Sequence, residues 1–162
     1  MQHTISVLVA NRFGVLARIA GLFSGRGFNI ESLNVATTSD PNVSSMTLVT
    51  IGDDKKIEQI SKQLNKLVDV IKVIDLTEKK FLDRELILIK MNGEPSNKEE
   101  ILRIVSLFRA KVIDVNANTY TIEITGDENK LNGFIELLRP FGIKEMVRSG
   151  KIALSRLSKK VN

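Results

Sequence analysis

Cysteine and tryptophan are absent from the 162 residues, and histidine and tyrosine occur once each. The lack of cysteine excludes disulfides, thiolate zinc sites and cysteine nucleophiles. The single histidine, His3, lies near the N-terminus, where we expect a solvated side chain, and it leaves no histidine-based metal cluster or catalytic triad. No run approaches the roughly 18 apolar residues of a membrane helix, and the start has no signal-peptide pattern. We therefore expect a cytoplasmic, non-membrane protein with no metal or catalytic centre.

A concentrated charge of one sign is also missing from most of the chain. The net charge is +5, and residues 144–162 alone carry six basic side chains against one acidic side chain. We interpret this excess as a solvated basic tail. The other residues have as many acidic as basic side chains, which does not favour binding to nucleic acid. The strands that would be central in the sheets offer only one aromatic, Tyr120, which is too little for the platform on which RNA-recognition modules stack bases.

The first half of the chain alternates between strand and helix patterns. "HTISVLVA" has the period-2 alternation of a strand, and "GVLARIAGLF" has helical spacing that ends at Gly25 and Gly27. Two β-rich runs, "FNIESLNVATTS" and "SSMTLVTIG", flank the turn "DPNV" and predict a hairpin. The helix pattern "DDKKIEQISKQLNKLVDV" and the strand "VIKVIDLT" complete the order β-α-β-β-α-β.

The same order returns after the charged stretch "EKKFLDRE". We predict strands in "ELILIKMN", "KVIDVNANTYTIEITG" and "IKEMV", and helices in "SNKEEILRIVSLFRA" and "DENKLNGFIELLRPFG". Two such units predict an α+β fold of tandem ferredoxin-like βαββαβ domains, at 1–78 and 79–162, with antiparallel sheets and both helices on one face. The other face of each sheet is expected to be open, so we expect pairing between units or chains.

The start of the first helix suits a carboxylate ligand. Its free backbone N–H groups carry partial positive charge, and Gly14 would let a ligand approach the N–H groups of Gly14, Val15 and Leu16. Asn11 before the helix and Asn29 after it could bond an amino acid's polar groups. An apolar wall is expected from the side chains Phe13, Val15, Leu16 and Ile30. The alternative interpretation is that the asparagines and Gly14 only form tight turns.

The stretch "NRFGVLARIAGLFSGRGFNIESL" resembles the signature of the small regulatory subunits of acetolactate synthase, also called acetohydroxyacid synthase. "QLNKLVDVIKVIDLT" is similar to the end of that family's ACT domain, the amino-acid-sensing form of the ferredoxin-like fold. "RELILIK", "FRAKVIDV", "TGDENKL" and "LLRPFGIKEMVRSGKIALSR" are similar to its C-terminal domain. The resemblance extends over essentially the whole chain.

The resemblance implies a non-catalytic subunit of branched-chain amino acid biosynthesis. Such a subunit activates a separate catalytic (large) subunit and confers allosteric feedback inhibition by valine. It implies no cofactor on this chain, with thiamine diphosphate, magnesium and FAD on the catalytic subunit. It also implies a homodimer through ACT domains, with the effector between Asn11, Gly14, Val15 and Leu16 of one chain and Asn29 and Ile30 of the other.

Other positions of the motif would be neighbours of that pocket, namely Phe13, Ala17, Asn34 and Ala36. Phe13 stands where the motif often has proline, and Ser45 where many relatives have arginine. Positions 17 and 34 often hold small hydroxyl residues in the family. Valine is the expected effector, with leucine and isoleucine left open, and the glutamates of "MNGEPSNKEE" argue against the same effector in the second unit. The alternative function is an amino-acid-responsive transcription or RNA regulator with the same sensor fold.

Overall fold

A computed structural model of the chain describes residues 1–156. It divides into two compact units, one made of Met1–Leu82 with the described residues from Lys151 on, the other of Asp83–Gly150. This division differs from the expected domains at 1–78 and 79–162, because the chain returns to the first unit after Gly150.

The first unit has the predicted order β-α-β-β-α-β. Its elements are β1 (Gln2–Ala10), α1 (Val15–Gly25), β2 (Ile30–Thr37), β3 (Val43–Ile51), α2 (Asp54–Asn65) and β4 (Val70–Asp75). The sheet order is β2-β3-β1-β4, and every neighbouring pair is antiparallel. The ferredoxin-like prediction is therefore confirmed for this unit, with β2 and β4 as edge strands.

The core of the first unit lies between one face of this sheet and the two helices. Helical spacing puts Val15, Ile19 and Phe23 on the buried face of α1. The apolar face of α2 is also buried. Its core residues are Ile57, Ile60 and Leu64, and the strands contribute Ile5, Val7, Val9, Met46 and Leu48. Burying each of these side chains contributes about 1.5–3 kcal/mol, so this face positions both helices.

The second unit repeats the architecture. Its elements are β5 (Phe81–Asn92), α3 (Lys98–Leu107), β6 (Lys111–Asn116), β7 (Thr119–Gly126), α4 (Glu128–Leu138) and β8 (Ile143–Arg148). The strand order β6-β7-β5-β8 matches that of the first unit. Phe108 and Phe134 pack with ring centroids 5.3 Å apart in its core. The stretch "EKKFLDRE" is only partly a connection, because β5 already begins at Phe81.

A ninth strand, β9 (Ile152–Ser155), was not predicted. It contacts β1 and β3 of the first unit's sheet. The amide of Lys151 donates to Ser32 Oγ at 3.1 Å, and the amide of Ala153 donates to Thr47 Oγ1 at 3.3 Å. Thr47 alternates with the core residues of β3, so β9 lies on the face opposite α1 and α2. In the first unit, β9 therefore covers part of the sheet face that was expected to be open.

His3 is buried, with 2% of its surface exposed, so the expectation of a solvated side chain is wrong. It lies on β1, which has β3 on one side and β4 on the other. Its Nε2 is 3.4 Å from Asp54 Oδ1, and its Nδ1 is 3.6 Å from Asp75 Oδ2. A central strand is covered by neighbouring elements even near the chain terminus, and this explains the burial.

Lys144, Arg148 and Arg156 of the basic tail are exposed, as predicted, and Arg148 also has a fixed partner. Arg148 of β8 donates from Nε and Nη2 to the two carboxylate oxygens of Glu85, at 2.9 and 2.7 Å. This hydrogen bonding raises the pKa of Arg148 above its ordinary value. Lys159 and Lys160, which were counted in the same tail, lie outside the described residues.

Candidate functional site

The first turn of α1 is open at its N-terminal end. Gly14 is the N-cap, with φ 82° and ψ −6°, and no side chain caps the helix. A Cβ at Gly14 would meet no atom within 4 Å, and the first turn has no acidic residue. The amide of Val15 makes only a long contact of 3.5 Å to the carbonyl of Arg12. Since unsatisfied N–H groups and the helix dipole both favour an anion, this end can accept a carboxylate.

Asn11 is fixed against the turn between β2 and β3. Its backbone N–H donates to the carbonyl of Asn42 at 2.8 Å. Its side-chain Nδ2 donates to the carbonyl of Pro41 at 3.0 Å. Pro41 takes one of the two Nδ2 hydrogens, so the side chain of Asn11 can still offer an amino acid its carbonyl oxygen, which can accept from an ammonium group, and one N–H.

Three charged residues that sequence reasoning missed hold the same loop in place. Arg18 Nη1 donates to Asp69 Oδ2 at 2.5 Å, and Arg12 Nη1 lies 3.7 Å from Asp69 Oδ1. The carbonyl of Asp69 also accepts from the amide of Ala10 at 2.8 Å. Asp69 follows α2, more than 50 residues from Arg18 along the chain, so no local pattern could have linked them.

The apolar wall expected beside the helix start is not formed within one chain. Val15 is 4% exposed and belongs to the core, so only its backbone N–H can face a ligand. The ring of Phe13 is fully exposed, Leu16 is 42% exposed, and Ala17 is also on the surface. The expected wall was wrong for Val15 because α1 uses that position to pack on the sheet.

The second group of predicted residues lies on β2 and just before it. Asn29 is exposed, and its Nδ2 donates to Glu31 Oε1 at 2.8 Å. Its carbonyl accepts from Thr50 Oγ1 at 2.6 Å, which fixes the start of β2. Ile30 is half-buried against the core, Asn34 is half-buried in mid-strand, and Ala36 is exposed near the end of β2.

Within one chain the structure does not bring these two groups together. Ala10, next to Asn11, pairs with Val43 at the start of β3, whereas Ile30 pairs with Thr50 near its end. Val43 and Thr50 are seven residue steps apart, which corresponds to roughly 23 Å at about 3.3 Å per residue. We call the group around Asn11 and Gly14 the loop half-site, and the group around Asn29 and Ile30 the strand half-site. They lie at opposite ends of the sheet.

In the second unit, the junction between β5 and α3 corresponds to the one that holds Gly14, and close packing leaves no open space beside its glycine, Gly93. The amide of Gly93, just after β5, donates to the carbonyl of Asn118 at 2.8 Å. A Cβ at Gly93 would lie 2.9 Å from both the Asn118 backbone and the Tyr120 ring.

The first turn of α3 is also acidic, with Glu99 and Glu100. A hydrogen bond from Arg103 lowers the pKa of Glu100, which keeps this carboxylate charged. The second junction therefore disfavours an anionic ligand both by its packing and by its charge.

In residues 1–156, no group of three or more histidine, aspartate or glutamate side chains could hold a metal ion. Over the same residues, no helix has the length and apolar character needed to cross a membrane.

The fold and the matches to two family models define the class of protein. Residues 5–72 match the model of the AHAS small subunit-like ACT domain, and residues 84–157 match the model of the small subunit of acetolactate synthase. The protein thus consists of an ACT domain followed by a second ferredoxin-like unit.

Full-length relatives specify the family. The chain is 52% identical over 160 residues to a probable acetolactate synthase small subunit of Archaeoglobus fulgidus, covering 99% of this chain and 100% of the relative. It is 54% identical over 156 residues to the acetolactate synthase small subunit of Aquifex aeolicus, covering 96% and 81%. The crystal structure of the acetolactate synthase small subunit from Thermotoga maritima superposes with a TM-score of 0.87 at 42% identity, covering 98% and 99%. The chain belongs to the acetolactate synthase small subunit family.

Proposed function

We propose that this chain is the non-catalytic regulatory subunit of acetolactate synthase in branched-chain amino acid biosynthesis, acting in the cytoplasm. It activates the catalytic subunit and makes it sensitive to feedback inhibition by valine. The proposal assigns no cofactor to this chain and leaves thiamine diphosphate, magnesium and FAD to the catalytic subunit. Family membership supports the regulatory role, and the open start of α1 at Gly14 supports amino-acid binding.

The effector's polar groups match the loop half-site. The carboxylate accepts hydrogen bonds from the N–H groups at Gly14, Val15 and Leu16, where the helix dipole is positive. The ammonium group donates to the side-chain oxygen of Asn11, which is held by Pro41. The strand half-site, with Asn29 and Ile30, completes the pocket and contacts the aliphatic side chain.

The separation of the half-sites supports a shared site in a homodimer. β2 is an edge strand of the ACT sheet, so its outer side can pair with another strand. If two β2 strands pair antiparallel about a two-fold axis, Ile30 of each chain approaches the far end of the other chain's β2, near Ala36. That end adjoins the loop half-site, because the turn after β2 holds Asn11. Two equivalent effector sites then form per dimer.

Calorimetric titration with valine, leucine and isoleucine tests the effector, and we expect valine to bind most tightly. If none of the three amino acids binds, the proposed amino-acid sensing is overturned, and the proposed activation of the catalytic subunit remains. Activation is tested separately, by adding the chain to the catalytic subunit and measuring acetolactate formation. The chain with pyruvate alone should produce none.

Mixing two defective variants tests the shared site. Gly14→Asp removes the loop half-site and Asn29→Ala weakens the strand half-site, so each variant alone should lose valine binding. In an equal mixture, half of the dimers are mixed and each has one intact site, which restores about a quarter of the sites. A mixture that binds no more valine than the separate variants would contradict a site shared between chains.

A further inference from the structure

We infer that the segment Lys151–Ala153 couples the effector site to the rest of the chain through Ser32. This inference rests on the proposed function, because it concerns how effector binding on β2 is transmitted. It arises from the unpredicted strand β9 and the residue before it, since the amides of Lys151 and Ala153 bond to side chains of the ACT sheet.

The position of Lys151 in the chain supports a coupling role. The second unit ends at Gly150, so Lys151 is the first residue after the chain returns to the first unit. Its backbone N–H donates to Ser32 Oγ at 3.1 Å, across 119 residues of sequence. The first residue after this crossing is therefore bonded to the strand that carries Ile30.

The strand β2 is irregular between the effector residues and Ser32. Ile30 pairs with Thr50 and Ser32 with Val49, so the register shifts at Glu31. Such a bulge interrupts the ladder and allows local rotation of the strand. A shift of Asn29 and Ile30 on effector binding can thus reach Ser32 without breaking the sheet.

A second contact holds the same segment on β3. The amide of Ala153 donates to Thr47 Oγ1 at 3.3 Å, and Thr47 is 4% exposed. The segment is therefore bonded through Lys151 to β2, the edge strand that carries the strand half-site, and through Ala153 to β3, an inner strand of the sheet. Movement of β2 relative to β3 changes the bond at Lys151 more than the bond at Ala153.

Hydrogen exchange of the intact protein with and without valine measures this coupling directly. We expect saturating valine to change the exchange rate of the Lys151 amide by about three- to tenfold, the range that one hydrogen bond supports, with a smaller change at Ala153. Valine that binds by calorimetry but leaves residues 150–156 unchanged would overturn this inference and not the proposed function. Failure of all three branched-chain amino acids to bind would overturn both.

Substitution of the acceptor provides the second test. In the complex with the catalytic subunit, Ser32→Ala should bind valine within about twofold of wild type but reduce the maximal inhibition by about three- to tenfold. Ser45→Ala is the control, because Ser45 is a half-buried hydroxyl of β3 on the same face as Thr47. Full inhibition in Ser32→Ala would contradict the coupling, and loss of valine binding would instead make Ser32 part of the effector site.

Discussion

The two units have the same strand order and helix placement, yet they differ at the junction between the first strand and the first helix. In the first unit this junction has an open left-handed glycine, Gly14, and no acidic residue in the following turn. In the second unit, Gly93 packs against backbone and an aromatic ring, and Glu99 and Glu100 occupy the first turn. We therefore expect the same fold to bind an effector in one copy and not in the other, with a few residues at the junction deciding between these outcomes.

The largest expected effect comes from placing a charge at the open junction. Gly14→Asp should weaken valine binding by about 100-fold or more, about 2.7 kcal/mol, because its carboxylate occupies the position of the ligand's. Gly14→Asn is the matched control, since asparagine has the same shape and tolerates φ 82°. Calorimetry should show a smaller loss for Gly14→Asn and none for Ser96→Asp in the second unit. Unchanged affinity in Gly14→Asp would refute the loop half-site.

The stability of the second unit should depend most on its ion pair between Arg148 and Glu85. Arg148→Met leaves Glu85, whose side chain is 9% exposed, without its partner. We expect the free energy of unfolding to fall by about 1–3 kcal/mol in urea denaturation, with valine affinity unchanged. Arg139→Met is the control, because Arg139 and Glu136 are both mostly exposed and such pairs contribute less than about 1 kcal/mol. Equal losses for the two variants would contradict a structural role for the Arg148 pair.

A substitution of Phe13 shows whether this residue belongs only to a surface loop or also to a pocket shared by two chains. Its ring is fully exposed within one chain, so Phe13→Ala should change the free energy of unfolding by less than about 0.5 kcal/mol. We expect valine affinity to fall about five- to tenfold, because under the proposed pairing the partner chain covers this ring beside the effector. Leu107→Ala, at an exposed leucine of the second unit, should leave affinity unchanged. If both variants bind valine like wild type, Phe13 lies outside the pocket.

The smallest effect is expected from neutralising the acidic turn of the second unit. Glu99→Gln with Glu100→Gln should reduce the stability of the protein only slightly, because exposed favourable interactions with the helix dipole and with Arg103 are lost. Calorimetry should still show one valine per chain, since Gly93 remains packed against Asn118 and Tyr120. A doubled stoichiometry would show that charge alone separates the two junctions.

The repeated βαββαβ order was predictable because strand and helix periodicities are local. Ile5, Val7 and Val9 alternate along one strand, and Val15, Ile19 and Phe23 follow helical spacing. The strand β9 was not predictable, because the amides of Ala153 and of Lys151 just before the strand bond to residues more than 100 positions away in the chain. Its apolar residues Ile152 and Leu154 are mostly exposed, so burial produced no signal there.

The candidate site was predictable in its backbone features and less so in its side chains. Gly14 and the helix start follow from a local pattern, and the structure has the left-handed conformation there. The burial of Val15 depends on which face of α1 meets the sheet, and the Asp69 contacts depend on the turn after α2. Whether Asn29 and Ile30 contact an effector stays a prediction, because a partner chain decides it.

The separation of the half-sites has a consequence for how the response depends on the amount of protein. Ala10 and Ile30 lie at opposite ends of β3, so under the proposed pairing an isolated chain cannot enclose an effector between its own half-sites. Effector binding and assembly are then linked, and each stabilises the other by mass action. Dilution below the dimer dissociation constant should lower apparent valine affinity, and valine should hold the dimer together. Feedback sensitivity would therefore rise with the cellular concentration of the subunit.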